Sequence, residues 1–350
     1  MYRIDNRYAT PSQPTPLAAG PPGYFTEGNP QTGTSATIVN ADWLNQVQEE
    51  LMTILARGGI TPSKTSNGQV LAALNKLFLP RTVVSQNMTL YVSPTGSDVT
   101  GDGLTPATAW QTIQTAINVI YSAYDWNGHG CTIQLADGTY NYNVTGGTNA
   151  YFPGNPLGMP QFALTMQGNP AAAQNVIIRA TNGNGIVADR ALINLNNLTV
   201  SATGTTWTPS LIQGIGIQAV RAGWINMANV RVDNTGGMFH LRADWAGMLV
   251  LPVATTLTLT GSGLWGVYAG LFGTVYISNA TVNVTGWSAT QPLWYCDQGR
   301  LEAGNTTFAG SATGTRYGSN TNGIINTSGG GVNYFPGTVA GSVVNGGQYI

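Results

Sequence analysis

The sequence predicts a mainly β fold: a parallel β-helix of about 25 residues per coil, preceded by an extended arm and a small α-helical N-terminal module. Three observations carry this expectation. Gly223, Gly247, Gly273, Gly299 and Gly323 each precede a short β-run, at spacings of 24, 26, 26 and 24 residues. Charged residues make up only 8% of the 350, while glycine fills 46 positions. Hydroxyls and amides therefore carry solubility, and such groups can ladder between stacked strands. Finally, both lysines, Lys64 and Lys76, fall before Pro80 and every later cation is arginine, which marks a boundary there.

Residues 1–40 contain Pro11, Pro14, Pro16, Pro21, Pro22 and Pro30. Repeated prolines fix φ and remove donors, so this arm is expected to be extended and to gain order by lying against something else. Residues 41–80 read as two short helices. Asn40 caps the first, whose stripe is Trp43, Val47, Leu51, Ile54 and Leu55, and Gly58-Gly59 ends it. Asn67 caps the second, whose stripe is Val70, Leu71, Leu74, Leu77 and Phe78. Helices of this size cannot bury a sufficient core alone, so a partner or further copies of the chain are expected.

Residues 81–333 read as the β-helix, with a helix at 109–124 whose apolar face is Trp110, Ile113, Ile117, Ile120 and Tyr124. In each repeat a strand such as "WINM", "MLVL", "TVYI", "RLEA" or "IINT" leads into a polar corner at Asn229, Asn279 or Asn305. Asparagine tolerates the left-handed conformation that a sharp corner requires. A second strand and then a third follow ("MFHL", "LWGVY", "PLWYC", "TRYG"), and Phe239, Trp265, Trp294 and Tyr317 are expected to stack as one column. An antiparallel sandwich also has short recurring strands, but nothing in it would keep glycine and asparagine in phase. Residues 334–350 read as a C-terminal tail.

Two stretches carry a family resemblance. "YVSPTGSDVTGDGLTPATAWQTIQTAI", followed by "IQLADGTY", resembles the beginning of right-handed parallel β-helix proteins of the pectate-lyase-like class, in which a helix plugs the open end. "PGYFTEGNP", "ADWLNQVQEEL", "GITPSK" and "QVLAALNKL" resemble the N-terminal module of bacteriophage tail fibre and tailspike proteins. The resemblance implies a virion tail protein, made in the host bacterial cytoplasm and attached to tail or baseplate proteins through its N-terminus. Tyr24, Phe25, Trp43, Val47 and Leu51 would then be the attachment residues. It also implies a homotrimer whose β-helix contacts host surface polysaccharide. A net charge of −1 offers no long-range attraction for nucleic acid or an anionic membrane. No apolar run approaches the roughly 20 residues of a membrane span, and the first residues lack the apolar centre of a signal peptide.

Many tailspikes of this class cleave polysaccharide with paired carboxylates, so the resemblance also raises an enzymatic reading. In "FHLRAD", alternation sets Phe239, Leu241 and Ala243 against His240, Arg242 and Asp244; with the apolar set inward, the second set faces solvent. In "WYCD" the same rule leaves Tyr295 and Asp297 outside. Asp244 and Asp297 would lie two rungs, or roughly 10 Å, apart, just beyond the span used by inverting glycosidases. The simpler reading is a solvated face with an Arg–Asp pair. Binding without cleavage needs only aromatics beside amides and hydroxyls, here Tyr151, Phe152, Trp207, Tyr268 and Tyr295; packing between subunits is the alternative. No metal or cofactor is expected. "GSDVTGDG" reads as a turn, and Cys131 and Cys296 read as small buried hydrophobes.

Overall fold

The computed structural model describes residues 2–78, 81–208 and 211–350, the side chains of 207–212 excepted. The chain forms two compact units, Met1–Arg81 and Thr82–Ile350.

In the first unit, helix α1 (Ala41–Arg57) starts where the Asn40 side chain accepts from the Trp43 amide. Helix α2 (Gln69–Phe78) packs on it, burying Met52, Leu55 and Ala73. A Cβ at Gly58 would meet the Ala73 backbone at 2.7 Å, so this glycine lets the pair close. The expected stripes are mostly not buried: Trp43, Val47, Leu71, Leu77 and Phe78 are exposed, Leu51, Ile54, Val70 and Leu74 half-buried. The preceding arm is tied to α1 by Arg3–Glu49 and by the Leu17 amide donating to Asp42 Oδ2, and to the loop between the two helices by Lys64–Asp5.

The second unit is mainly β with long parallel sheets. One sheet of 10 strands runs from Met88–Val92 to Gln348–Tyr349. A 15-stranded sheet supplies the other two faces, which merge where Val230–Asp244 and Thr256–Gly270 continue round a bend. Nearly every pairing is parallel. In the first sheet Trp224 pairs with Met248, Met248 with Thr274, Thr274 with Arg300, and Arg300 with Ile324. A continuous apolar core runs through this parallel β-helix from Val84 to Phe335.

The phased glycines have a steric cause. A Cβ on Gly223, Gly247 or Gly273 would lie 2.1 Å from the carbonyl oxygen of Ala188, Ala219 or Ala243 on the preceding rung; at Gly299 and Gly323 the approach, to Ala269 and Cys296, is 2.6 Å. Those five partners form a column of small residues in register, which explains why Cys296 is buried and unpaired. At the corner after the first strand, Asn197, Asn229, Asn279 and Asn305 all take φ between 54° and 59°. Their amides ladder, Asn229 Nδ2 donating to Asn197 Oδ1 at 3.2 Å.

Helix α3 (Ile113–Ser122), capped by Thr112, buries Ile113, Ala116, Ile117 and Ile120 against the first rungs. It is shorter than the expected 109–124, because Trp110 is held in a parallel bridge to Val92 and Thr112 caps the helix two residues later. The turn reading of "GSDVTGDG" agrees with its hydrogen bonds: Asp98 accepts from the Gln111 and Thr112 amides, and Asp102 from Leu104 and Thr108.

Two expectations need correction. The four-ring column does not form, because Trp294 pairs with Val267 and not with Trp265. Phe239 and Trp265 stack outside the main core, while Trp294 stacks on Phe335 inside it. Residues 334–350 are not simply a tail: Ser342–Val343 and Gln348–Tyr349 add strands to both large sheets, and Tyr349 stacks on Tyr317 at 4.0 Å. Among the described residues no helix is long and apolar enough to cross a membrane.

Candidate functional site

The outer side of the third face gathers most of the sequence-derived candidates. In register across successive rungs stand Tyr151, Val187, Gln218, Arg242, Tyr268 and Tyr295. Two residues further along each strand, Asp189 is in register with Val220 and Asp244, and Gly270 with Asp297. Strand alternation puts both columns on one side of the sheet. Asp244 and Asp297 are thus separated by the rung of Gly270, or roughly 10 Å.

Burial corrects the expectation of a solvent-facing His–Arg–Asp set. His240 is fully buried, its ring 5.7 Å from the core Trp287 and its Nε2 2.9 Å from the Thr260 carbonyl oxygen. A carbonyl can only accept, so Nε2 carries the proton; burial also lowers the ring's pKa. A neutral, enclosed imidazole of this kind is structural. The alternation rule fails because the strand changes side between Phe239 and Leu241, where it bends round from one face of the large sheet to the next. As a result Phe239 joins an outer cluster with Ile215, Met238 and Tyr268, whereas Leu241 and Ala243 join the core.

Arg242 and Asp244 do lie on the outer side, yet they are 5% and 1% exposed. Arg242 Nη2 is 2.6 Å from Asp244 Oδ2, and its guanidinium lies 4.9 Å from the Phe239 ring and 5.7 Å from that of Tyr268. Gln218 Nε2 donates to Asp244 Oδ1 at 3.3 Å. Burial raises the Asp244 pKa, with Arg242 opposing. Tyr268 is pushed up to about 12, chiefly by burial and then by Asp297. Asp297 is half-buried, and its Oδ1 is closed off with no hydrogen-bond partner among the described residues.

At the other end of the face, Asp189 is enclosed and takes Arg221 through both carboxylate oxygens, with Nε at 2.8 Å. Tyr151 donates to its Oδ2 at 2.5 Å. The Arg221 hydrogen bonds hold Asp189 below the ordinary carboxylate range, the opposite of Asp244. Sequence reasoning missed this triad and Gln218, because "NGIVAD" and "IGIQAV" are short runs without clear alternation.

The structure therefore brings together Tyr151, Arg242, Asp244, Tyr268, Tyr295 and Asp297, and excludes His240. Phe152 is a core residue. The Trp207 side chain lies outside the described residues. Tyr24, Phe25, Trp43 and Val47 are exposed on the first unit, with Phe25 edge-on to Trp43 at 5.1 Å. The deeper hollows lie elsewhere: one of about 430 Å³ is lined by Pro94, Gln114, Tyr140 and Asn149, with no charged residue. On the polar and aromatic face Asp189, Arg242, Asp244 and Tyr268 are buried, while Tyr151, Gln218, Tyr295 and Asp297 are half-buried.

No family model matches the chain. Over 81 residues it is 42% identical to the Uncharacterized protein StfP of Escherichia coli strain K12, a match covering 23% of this chain and 37% of the relative's length. Among solved structures it is similar to the pectin methylesterase of Aspergillus niger in penultimately deglycosylated form (13% identity, TM-score 0.35, 77% of this chain and 89% of that one). The deglycosylated form gives 11% identity and the same TM-score and coverage. Identities this low do not speak to activity.

Proposed function

We propose that this chain is a tail fibre or tailspike structural protein of a phage or phage-derived particle. In this reading residues 1–80 attach a homotrimer to tail or baseplate proteins. The right-handed β-helix meets host surface polysaccharide along its third face. The observation that carries the reading is the unspent apolar face of the first unit. Two helices bury little more than Met52, Leu55 and Ala73, while Trp43, Leu44, Val47, Leu71, Leu77 and Phe78 stay exposed. Such a face is suited to another chain, and a three-fold bundle would cover it. Sedimentation of the full chain at micromolar concentration is expected to give a trimer that Trp43→Ser with Val47→Ser dissociates; a wild-type monomer rejects the assembly. Antibody labelling of intact particles is expected to mark the tail, and unlabelled particles reject the placement.

A second reading, a polysaccharide depolymerase, is favoured by one observation. Asp244 and Asp297 share one column, and the raised pKa of Asp244 suits a proton donor. Chain length of host capsule or lipopolysaccharide, followed with time, tests it. Shortening that disappears in Asp244→Asn and Asp297→Asn supports hydrolysis at this face; unchanged chain length across a broad host panel rejects it.

A further inference from the structure

At five rungs the corner that joins the third strand to the next first strand takes two consecutive left-handed residues. The pairs are Arg221-Ala222, Trp245-Ala246, Leu271-Phe272, Thr321-Asn322 and Asn345-Gly346, with φ from 46° to 77°. Glycine and asparagine suit such positions, and a bulky side chain there is an outlier. Two rungs nevertheless carry large aromatics, and both rings face solvent: Trp245 is 59% exposed and Phe272 78%. Packing does not account for them, since neither belongs to either apolar cluster. Residues that combine backbone strain with exposure point to a use outside the fold.

Their position indicates the use. Trp245 directly follows Asp244, and Phe272 lies two residues beyond Gly270, which is in register with Asp297. The corner backbones ladder, the Ala222 amide donating to the Trp245 carbonyl at 3.0 Å and that of Ala246 to the Leu271 carbonyl at 3.2 Å. The two residues therefore stand at the edge of the polar face on neighbouring rungs, Trp245 in the first left-handed position of its corner and Phe272 in the second. Arg221, on the same corner one rung earlier, is more than half exposed while it holds Asp189.

We infer that Trp245 and Phe272 form the aromatic edge of a subsite for a neutral polysaccharide, whose sugar rings lie on them while hydroxyls reach Arg221 and Asp297. This deepens, and rests on, the reading of the third face as glycan-contacting. Neutrality follows from the charges present. Asp189 faces Arg190 and Arg221, and Asp244 faces Arg242, so three carboxylates with Asp297 are set against three guanidiniums. The face therefore carries no net charge, and its carboxylates Asp189 and Asp244 are already paired, so it offers a uronate no net attraction. A second copy of the chain fits less well. Each aromatic side chain offers about 150–250 Å², so two together fall short of the roughly 800 Å² per partner of a stable interface.

The chain supplies its own test substitutions, because Asn345 occupies the first corner position and Asn322 the second. Wild type, Trp245→Asn, Phe272→Asn and Trp245→Tyr are to be compared as full chains on an immobilised panel of bacterial surface polysaccharides with neutral or uronate-containing repeats. Melting temperature and sedimentation are recorded alongside. Wild type is expected to hold a neutral polysaccharide, each asparagine variant to bind it about tenfold more weakly or worse, and Trp245→Tyr to retain binding. The asparagine variants should melt at the same or a higher temperature with unchanged oligomeric state. Undiminished binding by both asparagine variants overturns the inference but leaves glycan contact standing. A lower melting temperature, or a smaller oligomer, makes the rings structural and overturns it as well. Preference for the uronate polymers rejects the neutral class. Wild type binding nothing on the panel rejects glycan contact itself, and the inference with it.

Discussion

The two left-handed corners of the β-helix set the same backbone demand against different side chains. After the first strand the demand falls on Asn197, Asn229, Asn279 and Asn305, whose amides bond along the ladder. At the coil-closing corner it falls on Arg221, Trp245, Leu271 and Phe272 in the middle rungs, with asparagine only in the last two, at Asn322 and Asn345. For a residue other than glycine or asparagine this conformation costs roughly 1–2 kcal/mol. The first corner is arranged for stability, whereas the second accepts strain. The difference shows that conformation alone does not select the residue, and that the face a corner borders can outweigh it.

Three substitutions sharpen this contrast. The largest effect is expected next to the strained corner, at Gly273, where a Cβ would lie 2.1 Å from the Ala243 carbonyl oxygen. Backbone cannot yield as a side chain does, so Gly273→Ala should destabilise by about 3 kcal/mol or more in denaturant unfolding. A loss under about 1 kcal/mol would mean that the rungs can separate freely, and the steric account of the glycine repeat would fail.

An intermediate effect is expected at Asp189, whose partner Arg221 stands on the coil-closing corner. Asp189→Asn should cost about 1–2 kcal/mol at neutral pH, a modest figure because Arg221 is largely in water. The sign with pH follows from the lowered folded pKa. The stabilisation is complete above the ordinary carboxylate value of 3.8 and is lost as pH falls through the folded value. Asp244 runs the other way: its raised pKa means that stability falls as pH rises through the folded value. Melting curves from pH 2 to neutrality should therefore show a flatter acid limb for Asp189→Asn. An unchanged limb would show that the Asp189–Arg221 contact contributes nothing.

The smallest effect is expected at the asparagine corner. Ala254 interrupts the ladder with φ 61°, its amide donating to the Asn279 carbonyl. Ala254→Asn should raise stability by about 0.5–1 kcal/mol, because asparagine tolerates the conformation and can join the amide row. A lower melting temperature would show that the corner selects for something other than backbone conformation.

Legibility in the sequence followed the same physics. Close backbone approach admits only glycine, so the spacing of Gly223 to Gly323 marks the rungs directly in the amino-acid order. The asparagine corners were readable because few residues accept their φ. The strands Asn184–Asp189 and Ile215–Val220 were not readable. Asn184–Asp189 is buried at every position and Ile215–Val220 at all but Gln218, so neither shows an alternation. With them went Gln218 and the partners of Asp189. Trp245 and Phe272 also passed unnoticed, since their oddity lies in φ and not in residue type.

By itself the sequence determined the mainly β stacked architecture, the phase of its coils and the break near Pro80, because these depend on local sterics and composition. Tertiary structure alone decided that His240 turns inward, that Arg242 and Asp244 close on each other out of solvent, and that aromatic side chains from distant rungs share one face. Those outcomes rest on a bend in one strand and on register between strands 24 to 31 residues apart. Neither is encoded in any single stretch of chain.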